Sequence, residues 1–213
     1  MASISPFDWG SLLEQEPLLP VWSPCSTEGV KAQAERLQLA GYGVVEVTLR
    51  HEAAWSVLTA LKEQGMTLVA GSVRQLSQLK RLRELGIRFA VSPGWCPELA
   101  RQAQDEHIQL LPGIATAGEA MQALAAGYHC VKLFPARALG GPDYLRALQA
   151  PFPELRVVAT GGLQAADMAD WFTLPSVLAL GGAWMLDTTP EEAQRQRQQA
   201  FALRQTQVHS GQP

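Results

Sequence analysis

The seven residues His129-Cys130-Val131-Lys132-Leu133-Phe134-Pro135 place a lysine in the middle of a short apolar stretch. Val131 and Leu133 predict a buried strand, which ends at Pro135 because proline has no N–H to donate. A buried lysine rarely lacks a partner or a chemical role. Two interpretations compete: Lys132 extends to the surface from an edge strand, or it stays buried, where a low dielectric favours the neutral amine that attacks carbonyl carbons.

The rest of the chain alternates apolar strands with helical stretches. We predict strands at residues 18–22, 44–50, 67–71, 87–91, 109–112, 129–134, 156–160 and 177–180. Strands that alternate with helices favour a parallel sheet with helical crossovers. The number of repeats favours an α/β fold of the closed (β/α)8 TIM barrel type over an open doubly wound sheet. No strand is followed by the GxGxxG of a dinucleotide-binding fold.

Two further helices flank these repeats. A short N-terminal helix is predicted at about residues 6–16, and a polar, Gln-rich helix at about residues 190–207. No linker-like or low-complexity segment divides the chain, so we predict a single barrel domain over residues 1–213.

Composition narrows the class of protein. Of 213 residues, 47% are hydrophobic and 17% are charged, which supplies enough apolar side chain for a large core. The net charge of −3 is spread along the chain, so nothing indicates binding to nucleic acid or to an anionic membrane. The N-terminus lacks the basic and apolar regions of a signal peptide, and no apolar stretch reaches transmembrane length.

The cysteines and histidines show no metal-ligand spacing. Cys25, Cys96 and Cys130 form no CxxC pair, and the four histidines do not complete a zinc-type set with them. We therefore predict no metal and no cofactor. Reduced cysteines are typical of a cytoplasmic protein, although a disulfide stays open at this point.

Polar residues lie at the predicted carboxyl ends of several strands, where barrel enzymes hold their active sites. Alternation along the second strand places Glu46, Thr48 and Arg50 on one face. At a sheet edge, Glu46 and Arg50 would form a surface salt bridge; in a closed barrel, an inward Glu46 needs a partner to offset its burial. Gly161-Gly162 and Gly181-Gly182 follow the seventh and eighth strands, where barrels commonly bind phosphate.

Seven segments, each at a predicted strand end, match one protein family in the same order. They are Val45-Glu46-Val47-Thr48-Leu49-Arg50, Ala70-Gly71-Ser72-Val73, Val91-Ser92-Pro93-Gly94, Leu111-Pro112-Gly113-Ile114-Ala115-Thr116, Val131-Lys132-Leu133-Phe134-Pro135-Ala136, Ala159-Thr160-Gly161-Gly162 and Leu180-Gly181-Gly182-Ala183-Trp184. From about Leu18 to Ala183, the chain resembles the 2-keto-3-deoxy-6-phosphogluconate (KDPG) aldolases and related 2-keto-3-deoxy sugar-acid aldolases, which are class I lyases.

The resemblance implies a role for each motif. Lys132 is implied as the Schiff-base lysine and Glu46 as the general acid/base, while Arg50 and Ser72 would hold the substrate carboxylate or a hydroxyl. Further substrate-binding residues are implied in the pocket wall and the phosphate site: Pro93, Thr160, Gly161, Gly162, Gly181, Gly182 and Ala183.

Two of these positions depart from the family pattern. Ser72 stands where the family usually has threonine, which keeps the hydroxyl but loses a methyl group; its alternative role is to cap the following helix. Ala183 stands where the family often has serine, and the missing hydroxyl removes a hydrogen bond that contributes roughly 1 kcal/mol. The preference for a phosphorylated substrate depends on this second position.

The implied function is the cleavage of KDPG to pyruvate and glyceraldehyde 3-phosphate by a cytoplasmic homotrimer. Its partner is a small-molecule 2-keto acid, with no nucleic acid and no membrane. Three alternatives stay open: an aldolase for 2-keto-3-deoxy-6-phosphogalactonate or 4-hydroxy-2-oxoglutarate (KHG), a phosphate-binding barrel isomerase or synthase, and a non-catalytic barrel. Trapping of a pyruvate imine would separate an aldolase from the last two.

Overall fold

The structure, a computed structural model, describes residues 8–210. Its strands are β1 (Leu18–Trp22), β2 (Val44–Thr48), β3 (Thr67–Gly71), β4 (Phe89–Val91), β5 (Gln109–Leu111), β6 (Gly113–Ile114), β7 (Cys130–Leu133), β8 (Arg156–Thr160) and β9 (Val177–Gly182). Its helices are α1 (Trp9–Gln15), α2 (Val30–Leu39), α3 (Ala53–Glu63), α4 (Leu76–Glu84), α5 (Pro97–Asp105), α6 (Ala117–Ala125), α7 (Gly141–Gln149), α8 (Met168–Trp171) and α9 (Pro190–Ser210). Short 3-10 turns lie at Ala165–Asp167 and Trp184–Leu186.

The strands form one parallel sheet that closes into a barrel. Their order is β5-β4-β3-β2-β1-β9-β8-β7-β6. Because only Pro112 separates β5 from β6 along the chain, the two ends of this order meet. The Lys132 N–H donates to the Pro112 carbonyl oxygen at 2.9 Å, which joins β7 to the interruption itself. The predicted (β/α)8 TIM barrel with a short N-terminal helix is confirmed.

Several element boundaries differ from the predicted ones. β2 ends at Thr48, so Arg50 lies beyond the strand instead of on its last position. The predicted helix at 164–172 is a 3-10 turn followed by the short α8. The C-terminal helix continues to Ser210. Residues 6 and 7 of the predicted N-terminal helix lie outside the described residues.

The alternative role of Ser72 as a helix cap is wrong. The N-cap of α4 is Gln75, whose N–H donates to Gln78 Oε1 at 3.0 Å. Ser72 lies three residues earlier with φ 57°, in the left-handed region. A non-glycine residue costs free energy in this conformation, and such strain is common at functional sites.

Buried apolar side chains form two layers on either side of the sheet. The outer layer lies between strands and helices and includes Val45 and Val47. The inner layer fills the barrel and includes Val44, Val69 and Val158. Because successive strand residues point to opposite faces, Glu46 follows Val44 into the barrel, above this inner layer.

Helix α1 closes the N-terminal end of the barrel. Trp9 belongs to the inner layer together with Leu13, and its ring meets the Phe89 ring edge-on with centroids 5.2 Å apart. The Trp9 indole N–H donates to the Gln109 carbonyl oxygen at 3.0 Å, at the start of β5. The inner layer is therefore sealed on this side, and polar groups gather at the other.

Helix α9 holds α1 in place with two arginines. Arg204 donates to the carbonyl oxygens of Leu13 and Glu14 and, at 3.1 Å, to that of Leu178 in β9. Arg197 pairs with Glu16 at 3.0 Å. These cations lie at the C-terminal end of α1, where a helix presents unpaired carbonyl groups and the negative end of its dipole. No helix in the described part of the chain has the length and apolar composition to cross a membrane.

Candidate active site

A lysine and a glutamate face each other inside the barrel. Lys132 Nζ, on β7, lies 3.6 Å from Glu46 Oε1, on β2, with the two side chains only 8% and 1% exposed. Lys132 Nζ also lies 5.1 Å from the centroid of the Phe134 ring. A short distance to an opposite charge offsets part of the cost of burying both groups. The interpretation of Lys132 as an edge-strand lysine that extends to the surface is therefore wrong.

The carboxylate of Glu46 is not fixed by hydrogen bonds. Neither oxygen has a hydrogen-bond partner among the described residues, and the same holds for the buried Thr160 hydroxyl. Buried polar atoms usually have partners, so each exception needs an explanation. Groups held ready for a substrate give one explanation here, since Glu46, Lys132 and Thr160 all border the same cavity.

This cavity has a volume of about 540 Å³ and opens at the carboxyl ends of the strands. It brings together nine of the residues that the sequence predicted as catalytic or substrate-binding. They are Glu46, Arg50, Lys132, Thr160, Gly161, Gly162, Gly181, Gly182 and Ala183. Arg50 differs from Glu46 in its exposure: Glu46 is buried inside the barrel, whereas Arg50 is exposed at its rim.

Ser72 and Pro93 do not line this cavity. The Pro93 backbone instead packs on Gly113, where an added Cβ would lie 2.5 Å from the Pro93 carbonyl carbon. Gly113 is the register partner of Lys132, so Pro93 is one strand away from the lysine. The Ser92 hydroxyl fixes this loop, since it donates to Gly94 O at 2.8 Å and accepts from Gly113 N at 3.3 Å.

Glycines allow the upper wall of the cavity to pack closely. Gly161 and Gly162 have φ values of 102° and 79°. A Cβ on Gly182 would lie 1.9 Å from the Trp184 ring, and one on Gly181 would lie 2.7 Å from Thr160 Cγ2. Backbone amides in such loops can approach an anionic ligand.

Sequence reasoning missed several residues that line the cavity. They are Val21, Phe134, Leu163, Gln164, Ala165, Trp184, Asp187 and Gln196. Phe134 could have been found, since it lies two residues after Lys132 and alternation places it on the same face. Gln196 carries no comparable signal, because it belongs to α9, which the sequence pattern marks only as a polar helix.

A closed barrel with an amine and a carboxylate at the carboxyl ends of its strands defines the class of barrel enzymes that act on small molecules at that end. The model of the KDPG and KHG aldolase family matches residues 10–199. The chain belongs to this family. It is therefore an aldolase, an enzyme of the lyase class.

Curated relatives support this assignment over most of the chain. The 2-dehydro-3-deoxy-phosphogluconate aldolase of Pseudomonas aeruginosa is 35% identical over 178 residues, which cover 83% of this chain and 81% of the relative. The KHG/KDPG aldolase of Escherichia coli K12 is 38% identical over 185 residues, which cover 86% and 87%.

Solved structures are similar in fold as well as in sequence. The KDPG aldolase of Zymomonas mobilis ZM4 with 3-phosphoglycerate has a TM-score of 0.85 and 30% identity, and covers 91% of this chain and 96% of that one. The KDPG aldolase of Legionella pneumophila, which holds pyruvate as a covalent carbinolamine intermediate, has a TM-score of 0.80 and 31% identity, and covers 94% and 98%.

Proposed function

We propose that this class I aldolase cleaves KDPG to pyruvate and glyceraldehyde 3-phosphate through an imine on Lys132. The single observation that carries the proposal is the buried pair of Lys132 Nζ and Glu46 Oε1, 3.6 Å apart inside the barrel. A nucleophilic amine and an acid/base group within reach of each other are what imine chemistry needs. Neither group requires a metal for this role.

In the proposed mechanism, Glu46 transfers the protons, and the iminium ion formed on Lys132 accepts the electron pair of the bond that breaks. The Lys132 amine adds to the C2 ketone, and loss of the C2 oxygen as water, with a proton from Glu46, leaves an iminium ion. The Glu46 carboxylate then takes the proton of the C4 hydroxyl, so the C3–C4 bond breaks and its electron pair passes to the iminium. The aldehyde leaves, and the remaining enamine is protonated at C3. Water hydrolyses the imine to pyruvate and free Lys132.

Binding is assigned to the rim and the glycine loops. Arg50 would hold the carboxylate next to C2, since a guanidinium group suits carboxylate oxygens. The Ser72 hydroxyl stays a predicted second donor, although Ser72 does not line the cavity. Pro93 would support the strand next to Lys132. The distal phosphate would lie against the backbone of Thr160, Gly161 and Gly162, and against the backbone at the end of β9, at Gly181, Gly182 and Ala183.

Reduction with borohydride in the presence of pyruvate tests the covalent step. We expect the reduced adduct on the peptide that contains Lys132, and none after Lys132→Ala. Lys80→Ala is the matched control, because Lys80 is exposed on α4, and it should keep both the label and the activity. A label on another lysine, or pyruvate release by Lys132→Ala, would rule this mechanism out.

A second candidate substrate is KHG, which carries no phosphate. The observation in its favour is Ala183, which borders the cavity without a hydroxyl to offer. Comparison of kcat/KM for KDPG, 2-keto-3-deoxy-6-phosphogalactonate and KHG, with lactate dehydrogenase to detect pyruvate, separates the candidates. A higher kcat/KM for KHG than for KDPG would replace the first proposal by the second.

We also propose that the protein is a homotrimer in the cytoplasm, which its resemblance to this aldolase family supports. The three cysteines are free, as the reducing environment of that compartment favours. Light scattering coupled to size exclusion measures the mass in solution, and a monomer or dimer mass would contradict the trimer.

A further inference from the structure

Gly71 lies directly against the carboxylate of Glu46. It is the last residue of β3, and its register partner in β2 is Thr48, two residues beyond Glu46 on the same face. A Cβ placed on Gly71 would lie 2.1 Å from Glu46 Oε1, 2.7 Å from Cγ and 2.8 Å from Cδ. These are the three nearest atoms to that position, so Glu46 is the first group that a side chain at residue 71 would meet.

The backbone gives no separate reason for glycine here. Gly71 is absent from the set of glycines with positive φ, so an alanine could adopt its conformation without the strain of the left-handed region. The closest contacts of an added Cβ are all with one side chain, and none of these three is with backbone. The lack of a Cβ therefore matters to Glu46 specifically.

Glu46 needs such a contact because hydrogen bonds do not fix it. A carboxylate in an active site is commonly oriented by donors, but neither Glu46 oxygen accepts a hydrogen bond from the described residues. What remains is the attraction to Lys132 and the packing against the backbone of β3. Packing decides the distance between the two groups, since a side chain with several rotatable bonds can otherwise move away.

We infer that Gly71 is a positioning residue, which seats the Glu46 carboxylate against β3 so that it stays within reach of Lys132. This inference rests on the proposed function, in which Glu46 transfers protons. A methyl group at residue 71 must push the carboxylate by about 1 Å or more, and a displacement of that size can cost about 100-fold in rate. The amine of Lys132, on the opposite side of the pair, would keep its place.

The test compares Gly71→Ala with Gly118→Ala. Gly118, on α6, has no atom within 4 Å of its added Cβ, so its substitution should leave kcat and KM unchanged. For Gly71→Ala we expect kcat for KDPG to fall about 100-fold, with KM within about threefold of the parent. Exchange of the pyruvate methyl protons for deuterium, a reaction that needs the same proton transfer, should fall in parallel. Borohydride should still label Lys132 in the presence of pyruvate.

A double-mutant cycle separates positioning from a general loss of structure. Once Glu46 is removed by Glu46→Ala, the methyl group meets an empty space, so Gly71→Ala should lower kcat no further. Rates that multiply in the double variant, or full activity of Gly71→Ala alone, would overturn the inference. Failure of the proposed function looks different, because the unsubstituted protein itself would then show no label on Lys132.

Discussion

At the scale of single residues, Lys132 and Glu46 make the interior of this barrel less stable than an apolar interior would be. Their side chains are 8% and 1% exposed, so each group offsets part of the cost of burying the other. Removal of one partner leaves the other buried without compensation, which commonly costs about 3–5 kcal/mol. Replacement of both partners by uncharged groups of the same shape can be neutral or stabilising.

We therefore expect Lys132→Met to lower the free energy of unfolding by about 3 kcal/mol, because it leaves the Glu46 carboxylate unpaired. Glu46→Gln added to Lys132→Met should restore most of that loss, although the double variant lacks the proposed nucleophile. Urea denaturation followed by circular dichroism measures both. A double variant less stable than Lys132→Met would show that the two groups do not compensate each other.

A second residue-scale prediction concerns the cysteines. Cys130 packs against the inner apolar layer, and burial raises the pKa of its thiol from 9.0 to about 12. Since the thiolate is the reactive form, iodoacetamide at pH 8 should modify Cys130 on the order of a thousandfold more slowly than the same residue in the unfolded chain. The exposed Cys25 should react first. Mass spectrometry of quenched samples tests this, and equal labelling of both residues without denaturant would contradict it.

The raised pKa of Cys130 also makes the stability of the protein depend on pH. The folded-state pKa of Cys130 lies above the unfolded value of 9.0, so the neutral thiol favours the fold. This contribution is fully present below pH 9 and is lost as the pH rises towards 12. Replacement of Cys130 by alanine should remove that part of the alkaline loss of stability.

At the scale of secondary-structure elements, helices α2 to α6 end in one way, with a variation at α5. The residue after the C-cap is glycine in α2, α3, α4 and α6: Gly41, Gly65, Gly86 and Gly127, all with positive φ. In α5 this place is taken by His107, with φ 54°. Ile108 N donates to Ala103 O at 2.8 Å, and the same type of hydrogen bond ends α2, α4 and α6.

His107→Gly should therefore stabilise the protein by about 1 kcal/mol, the typical cost of a side chain in the left-handed region. His107→Ala, which keeps a Cβ, is the matched control and should bring no gain. Thermal unfolding measures both variants. A lower midpoint for His107→Gly would indicate that the imidazole makes a stabilising contact which outweighs the strain.

The positions of strands could be predicted where residues next to the strand in sequence mark its ends. β3 and β8 were predicted to the residue, because an apolar run is bounded by glycine or by charged and turn residues. β2 was predicted too long, since the alternation that identifies a strand continues through Arg50 after the ladder has ended at Thr48. The left-handed Ser72 could not be predicted, because non-glycine residues rarely adopt that conformation.

The candidate site was also predictable in part: strand order brings some of its residues together, whereas others depend on rotamers and long-range packing. Glu46, Lys132 and the two glycine pairs meet because parallel strands deliver their carboxyl ends to one side of a barrel. The contact of Gly71 with Glu46 depends on side-chain rotamers in neighbouring strands, which no sequence period specifies. Gln196 enters from α9, a helix whose path over the barrel is fixed by long-range packing.

At the scale of the whole molecule, α9 ties the two ends of the described chain together. Arg204 contacts carbonyl groups of α1 and of β9. Arg204→Ala should lower the free energy of unfolding by about 2 kcal/mol, as expected for the loss of hydrogen bonds to a charged group. Urea denaturation measures this loss, and kcat should change little because α1 lies at the end of the barrel away from Lys132.

Arg195→Ala provides the control on the same helix. Arg195 is exposed and pairs with Glu192 one turn away, an arrangement that contributes little to stability. Equal destabilisation by the two substitutions would indicate that α9 as a helix matters, and not the contacts of Arg204 with α1.

The closed end at α1 has a kinetic consequence. Trp9 and Leu13 fill the α1 end of the barrel. Substrate therefore enters, and products leave, on the side of the glycine loops. In the proposed mechanism, the half of the substrate that is attached to Lys132 lies deeper than the half that is split off, so the aldehyde departs before pyruvate can follow. Product inhibition should then be competitive for pyruvate and noncompetitive for glyceraldehyde 3-phosphate, and the opposite assignment would mean that the α1 end opens during turnover.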